Sequence, residues 1–470
     1  MNKQKTDRIS DRNMLLTILA LAWPTMLEQF MQTAVQYIDT AMVGSLGTQA
    51  TAAVGSTGTV NWLIGSTISA VGVGFLSYIA KAYGANDQTA AKRAAAQAVL
   101  LTCVLGVFFT VLTVSLSGMI PAWMQVEAGI RDMASTYFMI LYLPMLPRTA
   151  SIIFGTVLRS AGDTKSPMKI GLLVNLINVV LNFLLIYPTR QIRVFSRHFT
   201  MWGAGLGVIG AAIASAAAFT IGGFCITCVL WRHKMISPRG QKFTPDLQIL
   251  KPCMRVAVPN MLQRFGTSLG YVAFAAMINS LGEVSTAAHT IANTVESAFY
   301  IPGYGMQTAA ATLAGNAYGA NDGKRMKQLA SIFIPLELVL MTGSGACLFL
   351  AAPVLMRLFS FHDAVIALGA AVLRMVAVSE PFYGFSIIIE GFMMGVGRTK
   401  APFVYNIIGM WGIRIIGTYI CTQLFGLGLV SAWACMIAHN LLLFVLFLIC
   451  YVRGVWNPLA GKETRKGFSA

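Results

Sequence analysis

Long apolar runs alternate with short polar ones along the chain. They are too long, and too rich in Ala, Leu, Gly and Met, for the short period-two segments of a membrane β-barrel. About twelve reach the length of a bilayer-crossing helix, near 14–43, 50–79, 93–118, 133–158, 168–188, 202–231, 252–280, 285–315, 328–355, 365–396, 401–424 and 428–452. The pattern is also written twice. Ala82-Tyr83-Gly84-Ala85-Asn86-Asp87 recurs 235 positions later as Ala317-Tyr318-Gly319-Ala320-Asn321-Asp322, and Gly162, Thr164, Lys165 and Pro167 recur as Gly397, Thr399, Lys400 and Pro402. Pro24 and Pro259, and Ser45-Leu46-Gly47 and Ser280-Leu281-Gly282, keep the same offset.

Six helices per half is an even number, so the halves enter the membrane in the same sense. The predicted fold is an all-α membrane protein of twelve transmembrane helices in two six-helix lobes related as parallel repeats. The N-terminal lobe is predicted at 1–231 and the C-terminal lobe at 252–470. Between them a cytoplasmic linker, 232–251, carries Pro238, Arg239, Gly240, Lys242 and Pro245. The first half holds an extra segment near Thr189 to Met201, after which the offset shortens.

A mean hydropathy of +0.68 with 11% charged residues excludes a soluble globular chain. The formal charge of +17 raises the question of a nucleic-acid partner, and the placement of the charges answers it. Of the 34 Lys and Arg, 25 lie in residues 1–13, in the loops after even-numbered helices and in the tail from Arg453; the opposite loops hold Arg131, Arg190, Arg193, Arg197 and Arg357. This positive-inside pattern predicts a multi-pass protein of the cell membrane, the bacterial inner membrane, with both termini cytoplasmic, the lipid bilayer as its partner and no nucleic acid. The polar N-terminus lacks the features of a removable signal. Cys225 and Cys228 have metal or redox spacing but lie inside helix six with no second pair nearby, which favours ordinary packing. No Walker motif, dinucleotide fingerprint or His-Glu-x-x-His sequence is present. The reading is therefore a non-enzyme without a bound cofactor, and neither an ATP-driven pump nor a zinc protease.

A carboxylate at mid-membrane costs about 2.5–3.5 kcal/mol on insertion scales, so intramembrane acids are functional candidates. Six qualify: Glu28, Asp39, Glu296, Glu337, Glu380 and Glu390. On helix one, Glu28, Gln32, Gln36 and Asp39 are spaced i, i+4, i+8 and i+11 and form one polar stripe, which must face a partner helix or a wet cavity. On helix five, Asn175, Asn178 and Asn182 share a face, and their amides suit either a cation or a carboxylate such as Asp39. They serve equally as glue between helices. Their counterparts in the second half, Met410, Ile413 and Gly417, are apolar, which confines this constellation to the first lobe. Ion coupling is assigned to Asp39, Asn175, Asn178 and Asn182. The substrate pathway is assigned to Glu28, Gln32, Gln36, Tyr37, Glu296, Glu380 and Tyr383. Some of Arg148, Arg264, Arg374 and Arg414 are expected to pair with the buried acids. Pro144, Pro147, Pro302 and Gly303-Tyr304-Gly305 are expected to interrupt helices four and eight.

The run Pro24-x₁₄-Asp39-Thr40-x-Met42-Val43-Gly44-x-Leu46-Gly47 resembles the first helix of the multidrug and toxic compound extrusion (MATE) transporters. The loop Arg159-Ser160-Ala161-Gly162-Asp163-Thr164-Lys165-x-Pro167, its twin from Gly397, and Asn178-Val179-Val180-Leu181-Asn182 agree with it, so the similarity covers essentially the whole chain. The resemblance implies a twelve-helix antiporter of two V-shaped lobes that expels small organic cations against a sodium or proton gradient. It places the family's first-helix carboxylate on Asp39 and its helix-five polar pair on Asn178 and Asn182. The acids that one branch carries on helices seven and ten fall here on Thr267 and Tyr383, leaving single-carboxylate chemistry at Asp39. The expected protein is a monomeric secondary active exporter working by alternating access, with H+ or Na+ as coupling ion. A flippase for lipid-linked oligosaccharide and a passive channel are the rival readings.

Overall fold

In the computed structural model, residues 11–124, 126–194 and 197–460 are described, and twelve spans follow one another as the apolar runs predict. The first three are Asp11–Gly44, Thr48–Gly84 and Gln88–Leu116; the fourth is the pair Arg131–Tyr142 and Met145–Ser160. Lys165–Leu185 and Gly207–Arg232 complete the first half. The second half runs through Leu247–Asn279, the pair Glu283–Phe299 and Ile301–Gly319, Gly323–Arg357, and the pair Asp363–Ala377 and Glu380–Gly395. The eleventh span, Lys400 to Leu424, contains two π-helical stretches, Ile408–Ile415 and Ile420–Leu424, and Leu429–Val452 is the twelfth. Among the described residues eight helices are by themselves long and apolar enough to cross a membrane, or ten if each of two bent pairs is one span. The seventh span falls short because Gln263 and Arg264 lower its hydropathy, and the eighth because it is broken into helices of 17 and 19 residues that carry many Thr, Ser, Asn and Gly.

The sequence repeat is repeated in the backbone. The fourth span bends by 51° at Leu143-Pro144, and the tenth bends by 52° at Val378-Ser379, 235 positions on. The eighth breaks at Tyr300, just before Pro302 and Gly303. Three twin turns use positive φ at matching positions: Gly47 and Gly282, Asn86 and Asn321, Gly162 and Gly397. Asparagine tolerates this left-handed region better than most side chains, which explains its place in both Ala-Tyr-Gly-Ala-Asn-Asp turns.

The extra segment of the first half is a β-hairpin. Pro188–Val194 pairs antiparallel with Arg197–Ala204, with Arg190 opposite Met201. At its base the Tyr187 hydroxyl lies 2.8 Å from Ser45 Oγ, tying the hairpin to the end of the first span. The linker is pinned by its own polar groups. Arg93 and Asp246 form an ion pair at 2.5 Å, and Gln97 Nε2 donates to the Thr244 carbonyl at 2.8 Å.

Two compact units divide the chain differently from lobes cut at 231 and 252. One is drawn from Leu27–Phe75 and Gln88–Cys253, the other from Met254–Ala470 with Met1–Met26 and Leu76–Asp87. The start of the first span and the end of the second thus belong to the second unit, and packing accounts for it. Met14, Ile18 and Ala22 share a core with Met306, Leu313, Phe333 and Phe392, and Thr25 Oγ1 donates to the Gly305 carbonyl at 3.1 Å. Ser77 Oγ donates to the Gly395 carbonyl at 3.0 Å. Charges of residues 1–10 and 461–470, used in the topology argument, lie outside the described residues.

Candidate functional site

Asp39 sits one turn from the end of the first span and faces the fifth. Asn182 Nδ2 donates to its Oδ1 at 2.6 Å. With its amide oriented to satisfy both ends, Asn178 places its nitrogen 2.8 and 3.2 Å from the two carboxylate oxygens and accepts from Ser215 Oγ at 3.0 Å. Both asparagines are buried, whereas Asp39 is half-buried, so the carboxylate keeps contact with its surroundings while the amides fix its position. Charge-assisted bonds of this kind are stronger than neutral ones, and an amide that donates to the anion turns its carbonyl to an incoming cation by rotating. Asn175 is not part of this network: its buried Nδ2 has no hydrogen-bond partner.

At the other end of the stripe, Glu28 is 8% exposed and its two oxygens lie 2.7 and 2.6 Å from Arg159 Nη2. Gly171 on the fifth span leaves room for it, since a methyl there would sit 3.3 Å from Glu28 Cγ. Gln32, Gln36 and Tyr37, between the two acids, are exposed.

The expected pairing of Arg148, Arg264, Arg374 and Arg414 with buried acids is not what forms. Among the described residues none of the four lies within 4.0 Å of a carboxylate, whereas Arg93 and Arg159 do. The four arginines rest instead on rings and amides. Arg148 lies over Tyr142 and Phe219 and donates to Asn61 Oδ1 at 2.5 Å; Arg264 donates to Asn260 Oδ1 at 2.9 Å. Arg374 lies over Phe349, and Arg414 over Phe274 and Tyr271. Aromatic faces attract cations and a guanidinium is weakly hydrated, so these contacts substitute for ion pairs.

Glu390 in the second lobe is held entirely by amides. Gln263 Nε2 lies 2.7 Å from its Oε1, Gln307 Nε2 3.3 Å from its Oε2, and Asn406 Nδ2 3.5 Å from Oε1. Two turns earlier on the tenth span, at Tyr383, the tyrosines gather. The hydroxyls of Tyr304 and Tyr383 are 3.0 Å apart, and the Tyr300 ring is edge-on to Tyr304 at 5.6 Å and to Tyr383 at 6.4 Å. Glu296 and Glu380, 7% and 2% exposed, are within electrostatic reach of Tyr300. A group of π-faces beside two carboxylates is the chemistry that receives an organic cation. Glu337 is fully buried on the far side of Gly303 and Gly384, and neither oxygen has a hydrogen-bond partner.

Sequence reasoning missed Ser215, Gln263, Gln307 and Asn406, and missed Arg159 as the partner of Glu28. One signal was available. Gln263 stands 235 positions after Glu28, so the repeat itself marks it as the second lobe's version of the same polar position.

The MatE family model matches residues 24–184 and 259–420, one copy in each half. The chain is 27% identical to the probable multidrug resistance protein NorM of Thermotoga maritima over 443 residues, 94% of this chain and 93% of that one. It is 24% identical to the probable multidrug resistance protein YoeA of Bacillus subtilis, covering 87% of each. The fold is similar to the outward-facing structure of a multidrug resistance MATE family transporter of the MOP superfamily. That match has a TM-score of 0.85 and 23% identity, covering 95% of this chain and 96% of the other.

Proposed function

Since the chain belongs to the MatE family of multidrug transporters, we propose that it is a secondary active antiporter that exports small organic cations in exchange for protons or sodium. It works as a monomer in the cell membrane, with both termini in the cytoplasm. The observation that carries this reading is Asp39, a membrane carboxylate held by Asn178 and Asn182 and left half-buried. A carboxylate that accepts from neutral amides, with no fixed cation beside it, gives up its interactions to an arriving proton, metal ion or drug and recovers them on release. A permanent salt bridge would have to be broken at every cycle. The relatives' names and the tyrosines beside Glu296 and Glu380 support an organic cation as cargo. The matching bends of the fourth and tenth spans support alternating access by two similar halves.

Asp39→Asn tests the proposal. The amide keeps the shape of the side chain and loses its exchangeable charge, so gradient-driven efflux of a cationic dye should disappear while protein level and apparent Tm stay close to wild type. Efflux at the wild-type rate would remove Asp39 from the mechanism. Efflux that persists after the ion gradient is collapsed would favour a channel.

A further inference from the structure

Arg414 lies in the π-helical stretch of the eleventh span and is 3% exposed. π-Bulges of this kind recur at functional sites. Its Cζ sits 4.1 Å from the centroid of Phe274 and 4.8 Å from that of Tyr271, yet among the described residues its buried Nε has no hydrogen-bond partner and no carboxylate lies within 4.0 Å of the guanidinium. Three neighbours share this condition. Trp433, fully buried, has no partner for Nε1; His439, 5% exposed, has none for either ring nitrogen; His289 has none for Nδ1. The His289 ring is edge-on to Phe274 at 5.5 Å and to Trp433 at 5.8 Å, and both histidines lie within electrostatic reach of Arg414. The lack of a side chain at Gly409 makes room for the His439 ring.

Guanidinium and indole are donors only, and each imidazole has at least one N–H to give. Native proteins seldom leave buried donors unpaired, and a cluster of them around a cation is the complement of an anion. We propose that the second lobe binds a small monovalent anion, of chloride size, among Arg414, His439, Trp433 and His289, where the seventh, eighth, eleventh and twelfth spans meet. Glu296 is the carboxylate in electrostatic reach of Arg414, but it stands beyond ion-pair distance and leaves the donors unfilled.

The test uses the purified full-length protein in detergent, with sodium and ionic strength held constant while gluconate is replaced by chloride. Bound chloride stabilises the folded state by mass action, so the apparent Tm should rise saturably by about 2–4 °C. Arg414→Gln should abolish the response. Trp433→Phe removes one donor and keeps the ring, and it should move the half-saturating chloride concentration up about tenfold, which provides a reading even where the arginine variant fails to fold. A crystal soaked in bromide should show an anomalous peak beside the guanidinium. A wild-type Tm indifferent to chloride would mean the donors meet only water and would overturn the proposal. So would a chloride response unchanged in both variants, or bromide bound only elsewhere.

Discussion

Arg159 Nη2 lies 2.7 and 2.6 Å from the two oxygens of Glu28, a largely buried ion pair between the first and fourth spans. The repeat converts it into something chemically different. At the same offset Glu28 becomes Gln263 and Arg159 becomes Met394, while the acid reappears one turn earlier as Glu390, opposite Gly155 of the first half. Gln263 then donates to Glu390, so the helix pair that is salt-bridged in one lobe is amide-linked in the other. The first lobe has therefore neutralised one acid of the stripe internally, while among the described residues Asp39 has no Lys or Arg within 4.0 Å.

Glu28→Gln should destabilise the protein, because it removes the carboxylate that Arg159 holds with two short charge-assisted bonds in a largely buried position. Breaking one partner of such a pair costs about 3–5 kcal/mol. The double variant Glu28→Gln/Arg159→Met should recover most of the apparent Tm. A single variant with wild-type Tm and no transport would instead place Glu28 in the substrate pathway.

Asn178→Ala and Asn182→Ala should each lower efflux by about 10-fold, the usual scale for removing a group that orients a ligand-binding side chain. At matched protein levels Glu390→Gln should do less, since Gln263, Gln307 and Asn406 can re-pair with an amide. A dead Glu390 variant beside fully active asparagine variants would move the coupling site to the second lobe.

Gly84→Val and Gly319→Val should behave alike. A methyl on Gly84 would overlap the Asn316 carbonyl and one on Gly319 the Lys81 carbonyl, and Lys81 and Asn316 are themselves 235 apart, so the contact is reciprocal. Both neighbours are backbone and cannot rotate aside. Overpacking of this kind costs about 1–3 kcal/mol, and each variant should show a lower apparent Tm. Two variants with unchanged Tm would show that the second and eighth spans need not approach so closely.

Protons rather than sodium should drive transport. Sodium wants several hard oxygen ligands, whereas among the described residues Asn178 and Asn182 present N–H groups to Asp39 and no group of three or more His, Cys, Asp or Glu could hold a metal ion. In vesicles an imposed pH gradient at constant sodium should drive dye efflux. Efflux that follows a sodium gradient at constant pH, and ignores a pH jump, would reverse the assignment.

The sequence by itself determined the twelve spans, the doubling at 235, the turns at Asn86 and Asn321 and the breaks near Pro144 and Pro302. These depend on local quantities: apolar length, the fixed φ of proline and the φ freedom of glycine and asparagine. It also put Asp39 and Asn182 forward together, because each lies on a polar face that cannot be left to lipid. Tertiary structure alone decided that Arg159 meets Glu28 while Arg148 and Arg414 rest on aromatic rings, that Asn175 stays outside the Asp39 network, and that the start of the first span and the end of the second pack with the second half. Those choices depend on how each helix is rotated and which neighbour it meets. Side chains about 130 positions apart in the chain, such as Glu28 and Arg159, acquire that relation only when the helices pack.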